Sequence, residues 1–455
     1  MILTPEEMAS AEEALFSTGV EAEPLMDCAG RGIAEAIGQF CPAAGAAVAF
    51  VGDGHNGGDA LVALRHLRDD AGWRVGVRLV NDEASLRPLT RKKLEQLGET
   101  DFDGAGEPPR CGQLLLIDGL LGIGARGELR PAYRTAADSF NDLRQRRSAR
   151  AVAVDIPSGV DGFNGNPYRG AIVADITCTI TYPKTGLLSD AATDHVGRLA
   201  LVPLPEIVAR PGDGDSNALL ITPATLAKSI RPRRFGMHKG EAGRVGIVAG
   251  SRGLTGAAAL AANAALRGGA GLVTLFARED IYPILATIAP PEVMVKPVAS
   301  LGEVGRCQLD SLAIGPGIGG ADDPEVTSLI HEDPRPMVID ADALNLLARD
   351  NIEVLRDAAA PRMLTPHPGD MARIETAYGL SPEAFSRRDR AETLAKRTGA
   401  TVLLKGARTV IAAADGQIPI AFNSTGCPGM ATGGIGDTLT GLIAALAAGG
   451  SSLFD

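Results

Sequence analysis

Four glycines, at 52, 54, 57 and 58, fall in the run VGDGHNGGD (Val51 to Asp59), after an apolar stretch that reads as a strand and before a helix expected to begin near Ala60. Glycines there can adopt positive φ and admit a ligand to the backbone, while the free N–H groups of a helix start favour an anion such as pyrophosphate. Taken alone, such a turn is as often purely structural. Two further segments have the same strand-then-loop pattern. LLLIDGLLGIGARGELR places Asp118 at a strand end and a glycine-rich loop from Gly122 to Gly127 after it, and AVDIPSGVDGFNGN places Asp155 and Ser158 after another strand. Each aspartate singly could cap a helix or close a turn. Three such loops at the carboxyl ends of neighbouring parallel strands would instead make a binding crevice.

The second half carries a different set. In NSTGCPGMATGGIGDTLTGLIAALAA (Asn423 to Ala448), glycines 433, 434 and 436 precede Asp437 and a strongly apolar helix. The N–H groups of such a helix start can hold a moving phosphoryl group, and Asp437 can take the proton of an attacking hydroxyl. Further glycine-rich or polar turns follow short apolar runs: IGPGIGG (314–320), VIDADALNLL (338–347), LTPHPGD (364–370) and LLKGARTVIA (403–412). Before them comes HKGEAGRVGIVAGSRGLTGAAALAANAALRGGAGLVTL (238–275). Close packing explains the small residues 258–265 of that stretch, but not the turn ahead of them. His367 is either a site residue in a rigid TPHPG loop or a satisfied structural histidine.

Elements that could present these loops are legible as apolar runs. Strands are expected at 47–51, 75–80, 114–117, 151–154 and 176–181, and again at 245–249, 271–276, 311–314, 337–339, 363–365, 401–404 and 409–412, alternating with helical stretches. That alternation predicts βαβ units and mostly parallel sheets, an α/β class. Thr4 with Glu7 reads as a capping box opening a first helix. The polar, Gly/Pro/Asp-rich stretch ARPGDGDSN divides the 455 residues into a domain over 1–208, a linker over 209–220 and a domain over 221–455.

A net charge of −11 argues against nucleic acid or an anionic membrane as partner, so an anionic ligand must be held locally by backbone N–H groups. The six cysteines show no CxxC or zinc-finger spacing and read as reduced thiols. No apolar stretch spans a bilayer and the start lacks the apolar core of a signal peptide, which predicts a cytoplasmic protein.

With LMDCAGRGIAEAI (25–37) and TYPKTGLL (181–188), the first-half loops resemble those of the NAD(P)H-hydrate epimerases, whose loop usually reads GxGNNGGDG. The resemblance implies a Rossmann-like three-layer domain and a potassium ion held by Asn56, Asp118 and Ser158. It also implies a hydrate site formed by His55, Asn56, Gly57, Gly58 and Asp59, by Gly122, Ile123, Gly124, Ala125, Arg126, Gly127 and Glu128, and by a catalytic Asp155. Carboxylate, amide and hydroxyl oxygens suit such a cation. His55 stands where the family has Asn and Ala60 where it has Gly. Activity is expected to survive, because His55 would contribute mainly backbone.

The second-half motifs resemble the ADP/ATP-dependent NAD(P)H-hydrate dehydratases, which have a ribokinase-like fold. In that likeness Ala257, Gly319, His367 and a catalytic Asp437 meet the hydrate, and Lys405, Gly406, Ala407, Arg408, Thr409 and Gly436 meet the nucleotide. The implied cofactors are ADP and Mg²⁺, the implied substrates NADHX and NADPHX, and a homo-oligomer is expected. Family members continue past the GGxGD helix with two more helices where this chain reads SSLFD, so the second domain is expected to be the less stable one. Two alternatives stand beside this reading: a ribokinase-like kinase of another small alcohol, and a nucleotide-binding module without epimerase activity.

Overall fold

The computed structural model describes residues 1–454 apart from 211, 215, 216, 228, 230, 231, 321, 322, 351, 381–384 and 417. The chain divides into two compact units, Met1–Leu220 and Ile221–Asp455.

In the first unit β1 (Ala46–Val51), β2 (Arg74–Leu79), β3 (Leu114–Gly119), β4 (Arg150–Val154), β5 (Ile176–Ile180) and β6 (Arg198–Val202) form one sheet in the order β2, β1, β3, β4, β5, β6. Every pairing is parallel. The helices are α1 (Pro5–Ser17), α2 (Ala22–Phe40), α3 (His55–Ala71), α4 (Pro88–Leu97), α5 (Pro131–Arg147) and the one-turn α6 (Thr193–Val196). Side-chain alternation along β1 divides the core. Ala47, Ala49 and Val51 pack with Ile33 and Ile37 of α2 and Leu61 and Leu64 of α3. Ala46, Val48 and Phe50 face Tyr133, Ala137 and Phe140 of α5 on the opposite side. Helices on both faces of a parallel sheet make three layers, and a strand buried on both faces reads as a continuous apolar run. The capping box forms: Thr4 Oγ1 accepts the Glu7 N–H at 3.2 Å, and Glu7 Oε2 accepts the Thr4 N–H at 2.7 Å.

Three expectations change here. Helix α3 begins at His55 rather than near Ala60, so Gly57 and Gly58 lie within its first turn. A Cβ at Gly57 would sit 2.3 Å from the Gly52 carbonyl oxygen and one at Gly58 2.5 Å from Met26 Sδ, so these glycines serve close packing. Strand β6 was not expected, because its half-buried pattern breaks the apolar run. The expected linker 209–220 ends instead in a short strand, β7 (Ala218–Leu220). Three of the linker's positions, 211, 215 and 216, lie outside the described residues.

In the second unit the strands are β8 (Arg244–Val248), β9 (Leu272–Arg278), β10 (Met294–Val298), β11 (Ser311–Ile314), β12 (Met337–Ile339), β13 (Arg362–Leu364), β14 (Thr401–Leu404), β15 (Thr409–Ala412) and β16 (Ile420–Asn423). They run in the order β10, β9, β8, β11, β12, β13, β14, β15, β16. Pairing is parallel as far as β14 and antiparallel for the last three strands. Strands β10 and β16 were not anticipated. β10 is a largely exposed strand carrying Pro297, which suits an edge and hides the apolar signal. The helices are α7 (Pro223–Leu226), α8 (Thr255–Arg267), α9 (Tyr282–Ile288), α10 (Pro324–Glu332), α11 (Asp342–Asp350), α12 (Pro368–Ala377), α13 (Arg387–Thr398) and α14 (Ile435–Ala448). α8 and α14 lie side by side with Gly441 against the α8 backbone, where a Cβ would fall 2.0 Å from the Ala261 carbonyl oxygen. Among the described residues, no helix is long and apolar enough to cross a membrane.

Candidate active sites in the two units

In the first unit the site builds up from register. Phe50 of β1 pairs with Asp118 of β3, and Asp118 with Ala153 of β4, so the loops after three adjacent strands leave the sheet together. The turn after β1 lies so close to the loop after β3 that a Cβ on Gly52 would be 1.9 Å from the Leu120 carbonyl oxygen. Asp118 is fully buried. Its Oδ2 accepts the Ser158 N–H at 2.8 Å, and its Oδ1 accepts the Ser158 hydroxyl at 2.7 Å and the Leu120 N–H at 3.1 Å. Burial pushes its carboxyl up to about 6, with these donors opposing the shift. Asn56 donates from Nδ2 to the Leu121 carbonyl at 2.9 Å, and the Leu121 N–H donates to Ser158 Oγ at 3.0 Å. Asn56, Asp118 and Ser158 therefore share one hydrogen-bonded cluster of oxygens around the Leu121 peptide.

Asp155 lies one strand over, with φ of +64°, a left-handed conformation that Asp tolerates better than most residues. Its Oδ1 accepts from the Lys184 ammonium and, at 3.0 Å, from the Ile180 N–H. Lys184 is completely buried and also donates to the Ile180 carbonyl at 3.0 Å. Asp59 is buried close by, and its carboxyl is held well above the usual range by desolvation first and then by Asp155 and Glu12. Of the expected loop 122–128, Gly122 is brought against Asn56, where a Cβ would lie 3.2 Å from Asn56 Oδ1. Gly124 to Glu128 are exposed, and Arg126 reaches Glu6 at 2.6 Å. His55 is exposed at the start of α3, its imidazole pushed down by desolvation and by the nearby Arg87.

In the second unit the site again lies beyond the carboxyl ends of parallel strands. Asp340, directly after β12, is buried. Its Oδ1 accepts Lys405 Nζ at 2.8 Å, and its Oδ2 accepts the Thr440 hydroxyl at 2.7 Å. These bonds tie the loop after β14 and the first turns of α14 to the loop after β12. Gly434 caps α14 with φ of +90°, and Asp437 follows in the first turn, its carboxyl raised by burial and then by neighbouring Asp340. Asp340, Asp342, His367, Lys405, Gly436 and Asp437 line one cleft. The N–H of Gly319 donates to Asp342 at 3.0 Å, and a Cβ at Gly317 would touch Ala257, which brings the loops after β8 and β11 together. His367 serves both readings given above: it lines the cleft, and its Nδ1 accepts the Asp370 N–H at 2.9 Å, capping α12. Arg387 on α13 donates to the Leu404 and Lys405 carbonyls at 3.0 and 2.7 Å and lies against Gly406, which fixes the loop holding Lys405 to Thr409.

Lys184, Glu12, Asp340, Thr440 and Arg387 were not singled out from sequence. Lys184 lies within TYPKTGLL, where a lysine among apolar neighbours is the available signal. Glu12 lies on a helix whose acids otherwise look like a solvated face.

The comparisons with known proteins bear on both halves. A family model described as YjeF-related protein N-terminus matches residues 22–186, and one described as NAD(P)H-hydrate dehydratase matches 245–455. The chain is 38% identical over 430 residues to the bifunctional NAD(P)H-hydrate repair enzyme of Moorella thermoacetica, covering 88% of this chain and 78% of that one. The chain belongs to the family of bifunctional NAD(P)H-hydrate repair enzymes. Family relatives also include those of Gloeobacter violaceus, 37% identical over 96% of this chain and 87% of the relative, and Escherichia coli, 34% identical over 95% and 82%. Among solved structures, the ADP/ATP-dependent NAD(P)H-hydrate dehydratase from Bacillus subtilis, co-crystallised with ATP/Mg²⁺, is 29% identical. It covers 50% of this chain and 80% of that one, with a TM-score of 0.43. The two matched family segments contain every site residue named in the preceding paragraphs except Glu6 and Glu12 on α1.

Proposed function

We propose that the first unit interconverts the R and S hydrates of NADH and NADPH, and that the second dehydrates the S form with ADP, releasing NAD(P)H, AMP and phosphate. The observation that carries the first assignment is Asp155, in a left-handed conformation after β4 with its side chain paired to a fully buried lysine. Backbone N–H groups at the start of α3 suit the substrate pyrophosphate. Asp155 Oδ2 makes no hydrogen bond among the described residues, so it remains to take and return a proton at the C6 carbinol.

A potassium ion fits the first unit. Asp118 is a buried carboxylate that pairs with no Lys or Arg among the described residues, and neutral oxygens of Asn56, Ser158 and Leu121 surround it. Asn56, Asp118 and Ser158 would hold the ion, which would supply positive charge beside the pyrophosphate.

In the second unit Asp437 accepts the proton of the C6 hydroxyl as its oxygen takes the phosphoryl group, and the N–H groups at the start of α14 stabilise the charge in transfer. Phosphate then leaves C6 far more readily than hydroxide. Lys405, Gly406, Ala407, Arg408, Thr409 and Gly436 would hold ADP; Ala257, Gly319 and His367 would meet the hydrate. Magnesium would rest mainly on phosphates and water. Six free thiols suit a reducing, cytoplasmic setting.

The test is an assay of the whole protein on mixed R and S hydrates, with and without ADP and Mg²⁺, in potassium and in sodium buffer. The reading requires R-to-S conversion without ADP, NAD(P)H formation only with nucleotide, and a potassium dependence of the first step that Asp118→Ala abolishes. A chain that leaves the R hydrate untouched in potassium buffer overturns the first assignment.

A further inference from the structure

Asp340 lines the cleft of the second unit yet is almost wholly buried, and both of its carboxylate oxygens are engaged. Oδ1 accepts Lys405 Nζ and the Ala341 N–H, each at 2.8 Å, and Oδ2 accepts the Thr440 hydroxyl at 2.7 Å. Its backbone is fixed as firmly. A Cβ on Gly315, just after β11, would lie 1.8 Å from the Asp340 carbonyl oxygen, and Ala341 adopts φ of +50°, uncommon for a residue with a side chain. Residues held in that region cluster at functional sites.

Lys405 stands where a cation is disfavoured. A Cβ on Gly436 would lie 3.3 Å from its Nζ and 3.7 Å from Asp340 Oδ2, so the ion pair lies against the first turn of α14. The free N–H groups of that turn carry the positive end of the helix dipole and repel an ammonium. The pairing with Asp340 offsets this repulsion, and Thr440, one turn further along the same helix, holds Asp340 in turn. Ammonium and helix N–H groups thus converge on one place, an arrangement suited to the oxygens of a phosphoryl group.

We propose that Asp340 is a positioning residue of the dehydratase: it clamps Lys405 to the start of α14, so that the ammonium and the helix N–H groups meet the phosphoryl group together. The inference rests on the roles given above to Lys405 and Asp437. In the step it serves, the C6 oxygen bonds to the terminal phosphorus of ADP, and the bridging P–O bond breaks with its electron pair going to the AMP oxygen. The hydroxyl proton goes to Asp437. A fixed ammonium stabilises the charge in transfer without having to reorganise. Asp340 acts through Lys405 rather than on the reactants, because both of its oxygens are already engaged.

The experiment measures dehydration at saturating S hydrate, ADP and Mg²⁺, as kcat against pH. It compares the whole protein with Asp340→Asn, Lys405→Met, their double variant and Asp437→Asn, and follows thermal unfolding of each. Lys405→Met should lose ~10²-fold in kcat. Asp340→Asn should lose roughly 10-fold or more, the cost of a catalytic group out of place. The double variant should be no slower than Lys405→Met, because Asp340 then has nothing left to position.

The acid limb supplies a readout that packing alone would not move. Asp437 shares its cleft with Asp340, Asp342 and Lys405, and with His367, Asp370 and Arg373 at the start of α12. After burial, the charge of Asp340 raises the Asp437 carboxyl, and Lys405 opposes it. A proton acceptor works only when ionised, so removing the Asp340 charge should move the limb to lower pH in the double variant than in Lys405→Met. That comparison holds even where Asp340→Asn alone does not fold, since the double variant leaves no unpaired buried charge. Parent-like rate in Asp340→Asn, with Lys405→Met and Asp437→Asn impaired, overturns the role of Asp340 alone. Losses that multiply in the double variant, with its limb where Lys405→Met has it, assign Asp340 to packing and also overturn the proposal. Full dehydration by Asp437→Asn overturns the site reading on which it rests.

Discussion

Lys184 and Asp155 form the kind of buried ion pair whose two halves depend on each other. Lys184 has no exposed surface, and its ammonium is shared between Asp155 and the Ile180 carbonyl. Removing one partner of such a pair leaves the other charge desolvated, which typically costs ~3–5 kcal/mol, whereas removing both is far less costly. Lys184→Met should therefore lower the stability of the first unit by about that amount, read as a shifted urea midpoint. Adding Asp155→Asn should recover much of the loss, because Asn also tolerates the left-handed backbone, but leave the chain without epimerase activity. A double variant no more stable than Lys184→Met would contradict this.

Asp437 gives a second prediction at the same scale. Burial and the neighbouring Asp340 raise its carboxyl above the ordinary aspartate range, and a proton acceptor works only when ionised. Dehydration should accordingly be present above that raised value and fade as pH drops through it. In Asp437→Asn the rate should be lower by ~10²-fold or more at every pH, with the acid limb gone. An unchanged acid limb in that variant would assign it to another group.

Among the elements, α14 shows how small residues and large ones divide a helix. Gly441, Ala444 and Ala445 face inward, whereas Leu442 and Leu446 stay 39% and 47% exposed. The inward face is set by backbone contact with α8, so a single methyl group matters there. Gly441→Ala gains up to ~1 kcal/mol in helix propensity but drives a Cβ into the Ala261 carbonyl. Because the obstruction is backbone, overpacking wins, at ~1–3 kcal/mol or more. It should displace the Gly434 to Asp437 turn and cut dehydration while sparing epimerisation. Leu442→Gln, on the open face, should stay within ~0.5 kcal/mol of the parent. Thermal unfolding with both assays separates the two outcomes.

The legibility of elements followed burial. β1 and β3 are buried on both faces, so their apolar runs could be read directly, whereas β6 and β10 mix exposed and buried positions and carried no such run. Helix α3 starts earlier than its sequence suggests, because glycines look like a loop until their packing against Gly52 and Met26 is seen.

Across the whole molecule, the two chemistries occupy separate compact units, each with its own sheet and its own loops at strand ends. Asp155→Asn should abolish only R-to-S conversion and Asp437→Asn only dehydration. A mixture of these two full-length variants should convert R hydrate to NAD(P)H with ADP, since the S hydrate made by one can diffuse to the other. Failure of the mixture, with each variant retaining its remaining activity, would show that the hydrate passes between sites without release.

By itself, the order of residues determined the strand, glycine-loop and helix succession, the α/β class and the candidate groups Asp118, Asp155, Ser158 and Asp437. Those signals are local: an apolar run, a turn residue, a polar group at a fixed offset. Only the tertiary structure decided that Lys184 lies under Asp155, and that Asp340 joins Lys405 to Thr440. The physical reason is that desolvation and charge pairing depend on which groups the fold places together, and the groups that meet here come from elements far apart in the chain.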